Sequence, residues 1–269
     1  MTVLLHLSDT HFGTEQPEVV EALVRLAVRL RPQLVVLSGD ITQRARAAQF
    51  RAARRFVDRL DAPATLAIPG NHDIPLFNLA ARLWAPYANY RRAFGTRLEP
   101  VHDADGLLVV CVNTTRAHRH KDGEVDAMQV RRVAERLRRA RPEQLRIVVT
   151  HQPVHVTRPE DASNLLHGRE DALRAWAEAG ADLVLGGHIH LPYVQPLAGT
   201  LPGVSRAPWC VQAGTAVSRR VRDGVPNSVN VIRHDPQAWP RECLVERWDH
   251  RSTSGRFELF EATRIALVR

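Results

Sequence analysis

The 269-residue sequence predicts an α/β fold: a parallel sheet with helices packed on it, joined near the C-terminal end by antiparallel strands. Three observations carry this. Short apolar runs recur at residues 3–7, 34–37 and 64–68, each of strand length. The stretches between them space their apolar residues at three and four, the period of a helix buried on one side. After Gly214 that helical spacing disappears, and residues 228–232, 242–247 and 257–262 read as strands joined by short turns, extending a second sheet.

Residues 3–7 are apolar apart from His6, as in a strand covered on both faces. Pro17 then opens a helix whose stripe is Val20, Leu23, Val24, Ala27 and Leu30, and which must stop before Pro32. Residues 34–37 form the second strand, after which Gly39 lets the chain turn sharply and deliver Asp40. A helix over residues 47–60 buries Phe50, Phe56 and Val57, and residues 64–68 form the third strand, ending in Pro69-Gly70. Residues 76–95 are blurred, with aromatics among arginines, and read as helical surface shielding the strand ends. Residues 107–112 return to strand, Asp126 and Gln129 make a capping box for a helix through Val133 and Leu137, and residues 147–150 deliver His151. A long polar loop over 154–168, a helix holding Leu173 and Trp176 and closed by Gly180, and a strand over 182–185 complete the alternation. No linker or repeat interrupts the chain, so residues 1–269 are expected to form one domain, with strands from about 207 onward completing the second sheet.

Composition limits the function. With 44% hydrophobic and 25% charged residues the chain is ordinary globular material, and its apolar runs fall far short of the ~18 residues of a membrane helix. No basic leader precedes the first strand, which points to the cytoplasm. Cys111, Cys210 and Cys243 sit apart among apolar neighbours and are expected to be buried free thiols. The net charge of +8 raises nucleic acid as a partner, but the excess is arginine spread over several helices, with Lys121 the sole lysine. That distribution fits a solvated surface better than a groove reader.

Chemistry concentrates in five short stretches at or just beyond strand ends: Asp9-Thr10-His11, Gly39-Asp40, Gly70-Asn71-His72-Asp73, His151 and Gly187-His188-Ile189-His190. Open α/β sheets bind ligands at this edge. Two aspartates, one asparagine and four histidines, with no thiolate, suit Mn, Fe, Co or Zn better than Mg or Ca. A carboxylate such as Asp40 can bridge two ions. Two ions ~3.5–4 Å apart supply hydroxide at neutral pH and positive charge on both sides of an in-line displacement at phosphorus. His72, held beside Asn71, is placed to protonate a leaving alkoxide, and Asp73 is expected to orient it. Asn113 and Arg116, beyond another strand, and His155 and His167 in the long loop are candidate substrate contacts, Arg116 as a phosphate fork.

The ordered set Asp-x-His, Gly-Asp, Gly-Asn-His-Asp, His, Gly-His-x-His resembles the calcineurin-like metallophosphoesterase superfamily, over roughly residues 3–190. The resemblance implies a two-sheet mixed α/β sandwich flanked by helices. It implies a first metal held by Asp9, His11, Asp40 and His190, a second held by Asp40, Asn71, His151 and His188, and His72 as the catalytic histidine. The expected pair is Mn, Fe or mixed Fe/Mn, with Zn or Co as alternatives. Within the superfamily the chain looks most like bacterial class III cyclic nucleotide phosphodiesterases. The expected activity is hydrolysis of a small phosphodiester such as a cyclic nucleotide; phosphomonoesterase, nucleotide-sugar pyrophosphatase and nuclease are the alternatives. Expected partners are that small phosphoester and, secondarily, a second copy of the chain as a homodimer.

Overall fold

A computed structural model describes residues 1–200, 204, 206–222 and 224–267. β1 (Thr2–Leu7), α1 (Pro17–Leu30), β2 (Leu34–Leu37), α2 (Ala47–Arg59) and β3 (Ala64–Ala67) follow the predicted alternation. Next come α3 (Leu79–Trp84), α4 (Ala88–Phe94), β4 (Val101–Ala104), β5 (Leu107–Cys111), α5 (Ala127–Arg138), β6 (Leu145–Val149), α6 (Arg169–Glu178) and β7 (Leu183–Gly186). β8 (Tyr193–Pro196), β9 (Trp209–Gln212), β10 (Ser228–His234), β11 (Glu242–Arg251) and β12 (Arg256–Ala266) end the described chain.

The strands form two six-stranded mixed sheets, ordered β12-β11-β10-β1-β2-β3 and β4-β5-β6-β7-β9-β8. Strand alternation decides which layer each side chain enters. Leu34 and Val36 face the core between the sheets, together with Ile147, Val149 and Leu185; Val35 and Leu37 face the opposite way, into the core shared with α1 and α2. Val148 and Val184 turn outward from the other sheet onto α5 and α6. The result is a sandwich with helices on both outer faces, as expected.

One expectation is corrected. The strands after residue 228 do not complete the second sheet; β10 pairs antiparallel with β1, Thr2 opposite His234, so β10, β11 and β12 extend the sheet that begins the chain. The second sheet is completed by β9, parallel to β7, and by the short edge strand β8. The reason lies in β1, whose second edge is open until a strand from the far end of the chain fills it. In the blurred stretch, Tyr90 of α4 is buried and donates to the Ala67 carbonyl at 2.6 Å, whereas Phe77 and Trp84 stay exposed. The Asp126–Gln129 capping box is present, Gln129 N–H to Asp126 Oδ1 at 2.8 Å and Asp126 N–H to Gln129 Oε1 at 3.0 Å. All three cysteines are buried and free. Among the described residues no helix is long and apolar enough to cross a membrane.

His6, the one polar interruption of β1, is fully buried, its Nε2 2.8 Å from Ser38 Oγ and its Nδ1 3.3 Å from Asn230 Nδ2. Burial pushes its imidazole down to about 3 from an ordinary 6.5. Above pH 6.5 both folded and unfolded states hold it neutral. Below that, only the unfolded state takes up the proton, so stability falls as pH falls, until the folded value is reached. Urea unfolding should therefore show the wild type losing roughly 2 kcal/mol more than His6→Gln between pH 7 and pH 5. Parallel losses in the two proteins would contradict the burial argument.

Candidate metal centre

The loops after β1, β2, β3, β6 and β7 meet along one edge of the sandwich and bring all seven predicted ligands together. Backbone hydrogen bonds join the loops, Asp9 N–H to the Gly39 carbonyl at 3.1 Å and His11 N–H to the Asp40 carbonyl at 3.0 Å. Five of the seven carry left-handed backbone: Asp9 (φ 53°), His11 (41°), Asp40 (48°), His188 (75°) and His190 (57°). Such conformations cost of order 1 kcal/mol each outside glycine and persist only where surrounding structure imposes them. Gly39, at φ 102°, has a second constraint, since a Cβ there would lie 2.4 Å from His151 Nδ1.

Two donor sets share Asp40. Around its Oδ2 lie His11 Nε2 at 3.6 Å and, beyond it, Asp9 Oδ1 and His190 Nε2, each 3.4–3.7 Å from the next. Around its Oδ1 lie His151 Nε2 at 3.3 Å and Asn71 Oδ1, itself 3.2 Å from that nitrogen. The His188 ring packs edge-on to His151 at 5.1 Å between centroids. The triads Asp9–His11–His190 and Asp40–His151–His188 each place their donor atoms within 4.8 Å of one another.

Whether these residues fit metal ions is answered by their unmet hydrogen bonds. His151 gives its Nδ1 proton to the Ser38 carbonyl at 2.7 Å, and His190 gives its own to the Arg220 carbonyl. In the neutral ring each therefore aims an Nε2 lone pair inward, His151 at two acceptor oxygens and His190 at Asp9 and His11. Asp9 Oδ1, His11 Nδ1 and both ring nitrogens of His188 are buried with no protein partner. Each unpaired buried group costs about 1–3 kcal/mol, and converging lone pairs repel besides. A cation among these donors removes the repulsion and gives Asp9 Oδ1 and one His188 nitrogen a partner, so the donor set fits divalent metal of the borderline kind.

The titration behaviour points the same way. Burial opposes charge on His151, but the Asp40 carboxylate outweighs it and pushes the imidazole up to about 9. The site thus calls for positive charge at that nitrogen. His188 goes the other way, pushed down to about 3 by burial and by the charge of His151, which leaves the lone pair of one ring nitrogen free. Burial raises Asp40 too, but the charges of His151, His72 and His11 prevail and hold it well below the usual carboxylate range.

A model of the calcineurin-like phosphoesterase family matches residues 2–192, from β1 through the last of these ligands. The chain belongs to the calcineurin-like phosphoesterase family. As a member it is a metal-dependent phosphoester hydrolase. It is similar to a cAMP/cGMP dual specificity phosphodiesterase of Mycobacterium tuberculosis, 28% identical over 247 residues, covering 82% of this chain and 73% of the relative. Its fold is shared with a purple acid phosphatase from yellow lupin seeds (TM-score 0.73, 13% identity), covering 98% of this chain, which spans only 53% of the lupin chain. A dimetal phosphatase from Danio rerio superposes with a TM-score of 0.65 at 13% identity, covering 99% of each chain.

In this phosphoesterase the remaining predicted residues separate. His72 stands at the centre, its ring 4.9 Å from and edge-on to that of His11. Its Nδ1 faces the Gln43 carbonyl at 3.0 Å, and its backbone N–H donates to Asp40 Oδ1 at 2.8 Å. The orienting partner of His72 is therefore Gln43, not Asp73. Asp73 turns away and accepts from the backbone N–H groups of Ile41, Thr42 and Gly70 and from Thr42 Oγ1, at 2.8–2.9 Å. It rivets the Asp40 loop to the Asn71 loop.

Of the four substrate candidates, Asn113 and Arg116 have their polar groups engaged by neighbouring residues. Asn113 is buried, with Oδ1 taken by Thr115 and Nδ2 on Tyr87. Arg116 spends its fork on the carbonyls of Asn113 and Thr115 and on Gln129 and Asp126 at the start of α5. The carbonyl of His155 accepts from Tyr193, and its ring lies edge-on to that tyrosine. His167 is exposed, its backbone bonded to Gly123 and Val125. Sequence reasoning missed Arg220. Its guanidinium donates to Gln43 Oε1 at 3.1 Å and lies 3.5 Å from His72 Nε2. Only an arginine-rich loop after a short strand hints at it in the sequence.

Proposed function

We propose that this phosphoesterase hydrolyses small phosphodiesters, cyclic nucleotides foremost, using two divalent ions of the Mn or Fe type. Asp9, His11, Asp40 and His190 would hold one ion, and Asp40, Asn71, His151 and His188 the other. The observation that carries this reading is Asp40, whose two carboxylate oxygens face two separate donor sets. When bound, the ions supply a hydroxide nucleophile at neutral pH and positive charge on the phosphoryl oxygens.

The protein's own contribution follows from its hydrogen bonds. Ser38 and Arg220, through their carbonyls, fix the ring orientations of His151 and His190, which keeps both Nε2 atoms aimed inward. Gln43 fixes His72 in the same way, so that a proton carried on Nε2 points at the leaving oxygen of a bound ester. Asp73 holds the two loops at constant separation. The similarity to a phosphodiesterase acting on cAMP and cGMP supports a diester substrate.

The test is purification, Mn saturation, metal counting, and turnover of cyclic nucleotides, linear diesters, nucleotide sugars and monoesters side by side. Two ions per chain and the highest kcat/KM on a small diester are expected. One ion per chain, or a monoester or nucleic acid as best substrate, would replace the reading with an alternative. His72→Ala should keep both ions and lose about 100-fold in kcat on diesters with poor leaving groups. Full activity there removes the acid role.

A further inference from the structure

We infer that Arg220 is a catalytic residue of this phosphoesterase: its guanidinium contacts the phosphoryl group beside His72, in a recess lined by Ile189, His190, Arg220, Val221 and Arg222. The inference rests on the proposed phosphoester chemistry at this centre. Arg220 lies outside the stretch matched by the family model, which ends at residue 192. The phosphate fork sought in Arg116 thus reaches the centre from another loop.

Three observations support it. The first is position. One residue touches the centre twice, its carbonyl accepting from His190 Nδ1 and its Nη1 reaching within 3.5 Å of His72 Nε2. A guanidinium and a ring nitrogen thus lie next to each other near His11, and an anion beside them would meet both. The recess that Arg220 lines together with the proposed ligand His190 has a volume of about 370 Å³, ample for a phosphoryl group and its substituents.

The second is charge. Arg222, two residues on, is neutralised by Asp161, which it meets at 2.8 and 2.9 Å. Arg220 has no carboxylate within 4.0 Å among the described residues; its one acceptor oxygen is the neutral amide of Gln43. A half-buried guanidinium with most of its donors unspent is a ready partner for phosphate oxygens, which it can grip in a bidentate fork.

The third is rigidity. The strap carrying Arg220 is tied to the loop that carries Asp9 and His11: Ala216 N–H donates to the Ser8 carbonyl, Gln16 N–H to Val217, and Arg219 N–H to Thr14, all at 2.9–3.0 Å. Thr215 Oγ1 bonds the Arg220 carbonyl at 2.7 Å, and Asn227 Nδ2 holds that of Ser218 at 2.8 Å. Arg222 anchors the far end to Asp161. With the backbone held this firmly and Nη1 resting on Gln43, the guanidinium has less far to reorganise as charge develops on the phosphoryl oxygens, the condition under which a hydrogen bond contributes most to rate.

Because the backbone carbonyl, not the side chain, holds His190, truncating the side chain separates phosphate contact from metal retention. In the Mn-loaded full chain, Arg220→Ala should keep the wild-type metal content and thermal midpoint. It should lose about 100-fold in kcat/KM and bind inorganic phosphate at least 10-fold more weakly by calorimetry. Arg220→Lys should recover only part of either loss, because an ammonium lacks the fork. Millimolar methylguanidinium should partly restore the Ala variant, and methylurea should not. Unchanged phosphate affinity in Arg220→Ala, or an activity loss matched by metal loss, overturns the inference. If the wild type turns over no phosphoester, the reading of function fails instead, and the phosphate affinities of wild type and Arg220→Ala still decide the role of Arg220.

Discussion

Asp40→Asn should reduce kcat/KM by about 10³-fold or more and lower the Mn content from two ions per chain to one or none. Variants of groups that merely orient ligands cost about 10–100-fold, and among the described residues Asp40 is the side chain whose two oxygens face both donor sets. The substitution is well suited to the question. Asp40 sits at φ 48°, a left-handed conformation that asparagine tolerates nearly as well as aspartate, so the exchange adds little backbone strain. The amide also keeps an oxygen where Oδ1 accepts the His72 N–H at 2.8 Å. What it removes is a negative charge and the second equivalent oxygen, the two properties a bridging ligand needs. Thermal melts supply an independent readout: Mn should raise the wild-type midpoint by preferential binding to the folded state, and raise that of the variant much less. Two tightly bound ions and near-normal turnover in Asp40→Asn would mean that Asp40 does not bridge.

How much of this centre was legible in the sequence follows from the range of the interactions involved. Asp9, His11, Asp40, Asn71, His151, His188 and His190 could be picked out because each directly follows an apolar run, and a parallel sheet delivers such residues to one edge. Their side chains meet in space for the same reason. Asp73 lay in the same quartet and was misread, because its partners are backbone N–H groups of Ile41 and Thr42, which carry no side-chain signature. Arg116 had the right chemistry at the right strand end, yet the Asp126–Gln129 cap that makes α5 also captures its guanidinium. Arg220 was invisible for the opposite reason: it belongs to an irregular strap whose position is set by pairing with residues 8–16, far away in the chain. The same limit applies to the fold. The apolar periods of β1, β2 and β3 announce strands, but nothing local in Ser228–His234 says that its partner is β1. Short edge strands such as β4 and β8, four residues each and poorly buried, leave almost no period to read.

Gly70→Ala should abolish more activity than its single added carbon suggests, and the cause is steric. Gly70 has ordinary extended backbone (φ −98°, ψ −179°), so alanine would meet no conformational objection. A Cβ there would instead lie 2.1 Å from Asp40 N and 2.2 Å from Asp40 Oδ1, distances at which atoms overlap. The neighbour is backbone, and it cannot swing aside, because Asp73 ties both loops through Ile41, Thr42 and the Gly70 N–H itself. The loops must therefore part, carrying Asn71 and His72 away from Asp40. A displacement near 1 Å at reacting groups is worth about 100-fold in rate, and here it affects two proposed ion ligands and the proton donor together, so more than 100-fold is expected. Overpacking of this kind should also lower stability by about 1–3 kcal/mol, measured by urea unfolding of the metal-free protein. Gly95→Ala is the control. That glycine has φ 91° and ψ 173°, a region nearly confined to glycine, with nothing within 4 Å of its added carbon, so alanine there meets backbone strain of about 1–3 kcal/mol and no clash. It should leave kcat/KM unchanged. If the two variants lose kcat/KM alike, close approach of the β2 and β3 loops is not what holds Asp40, Asn71 and His72 in register.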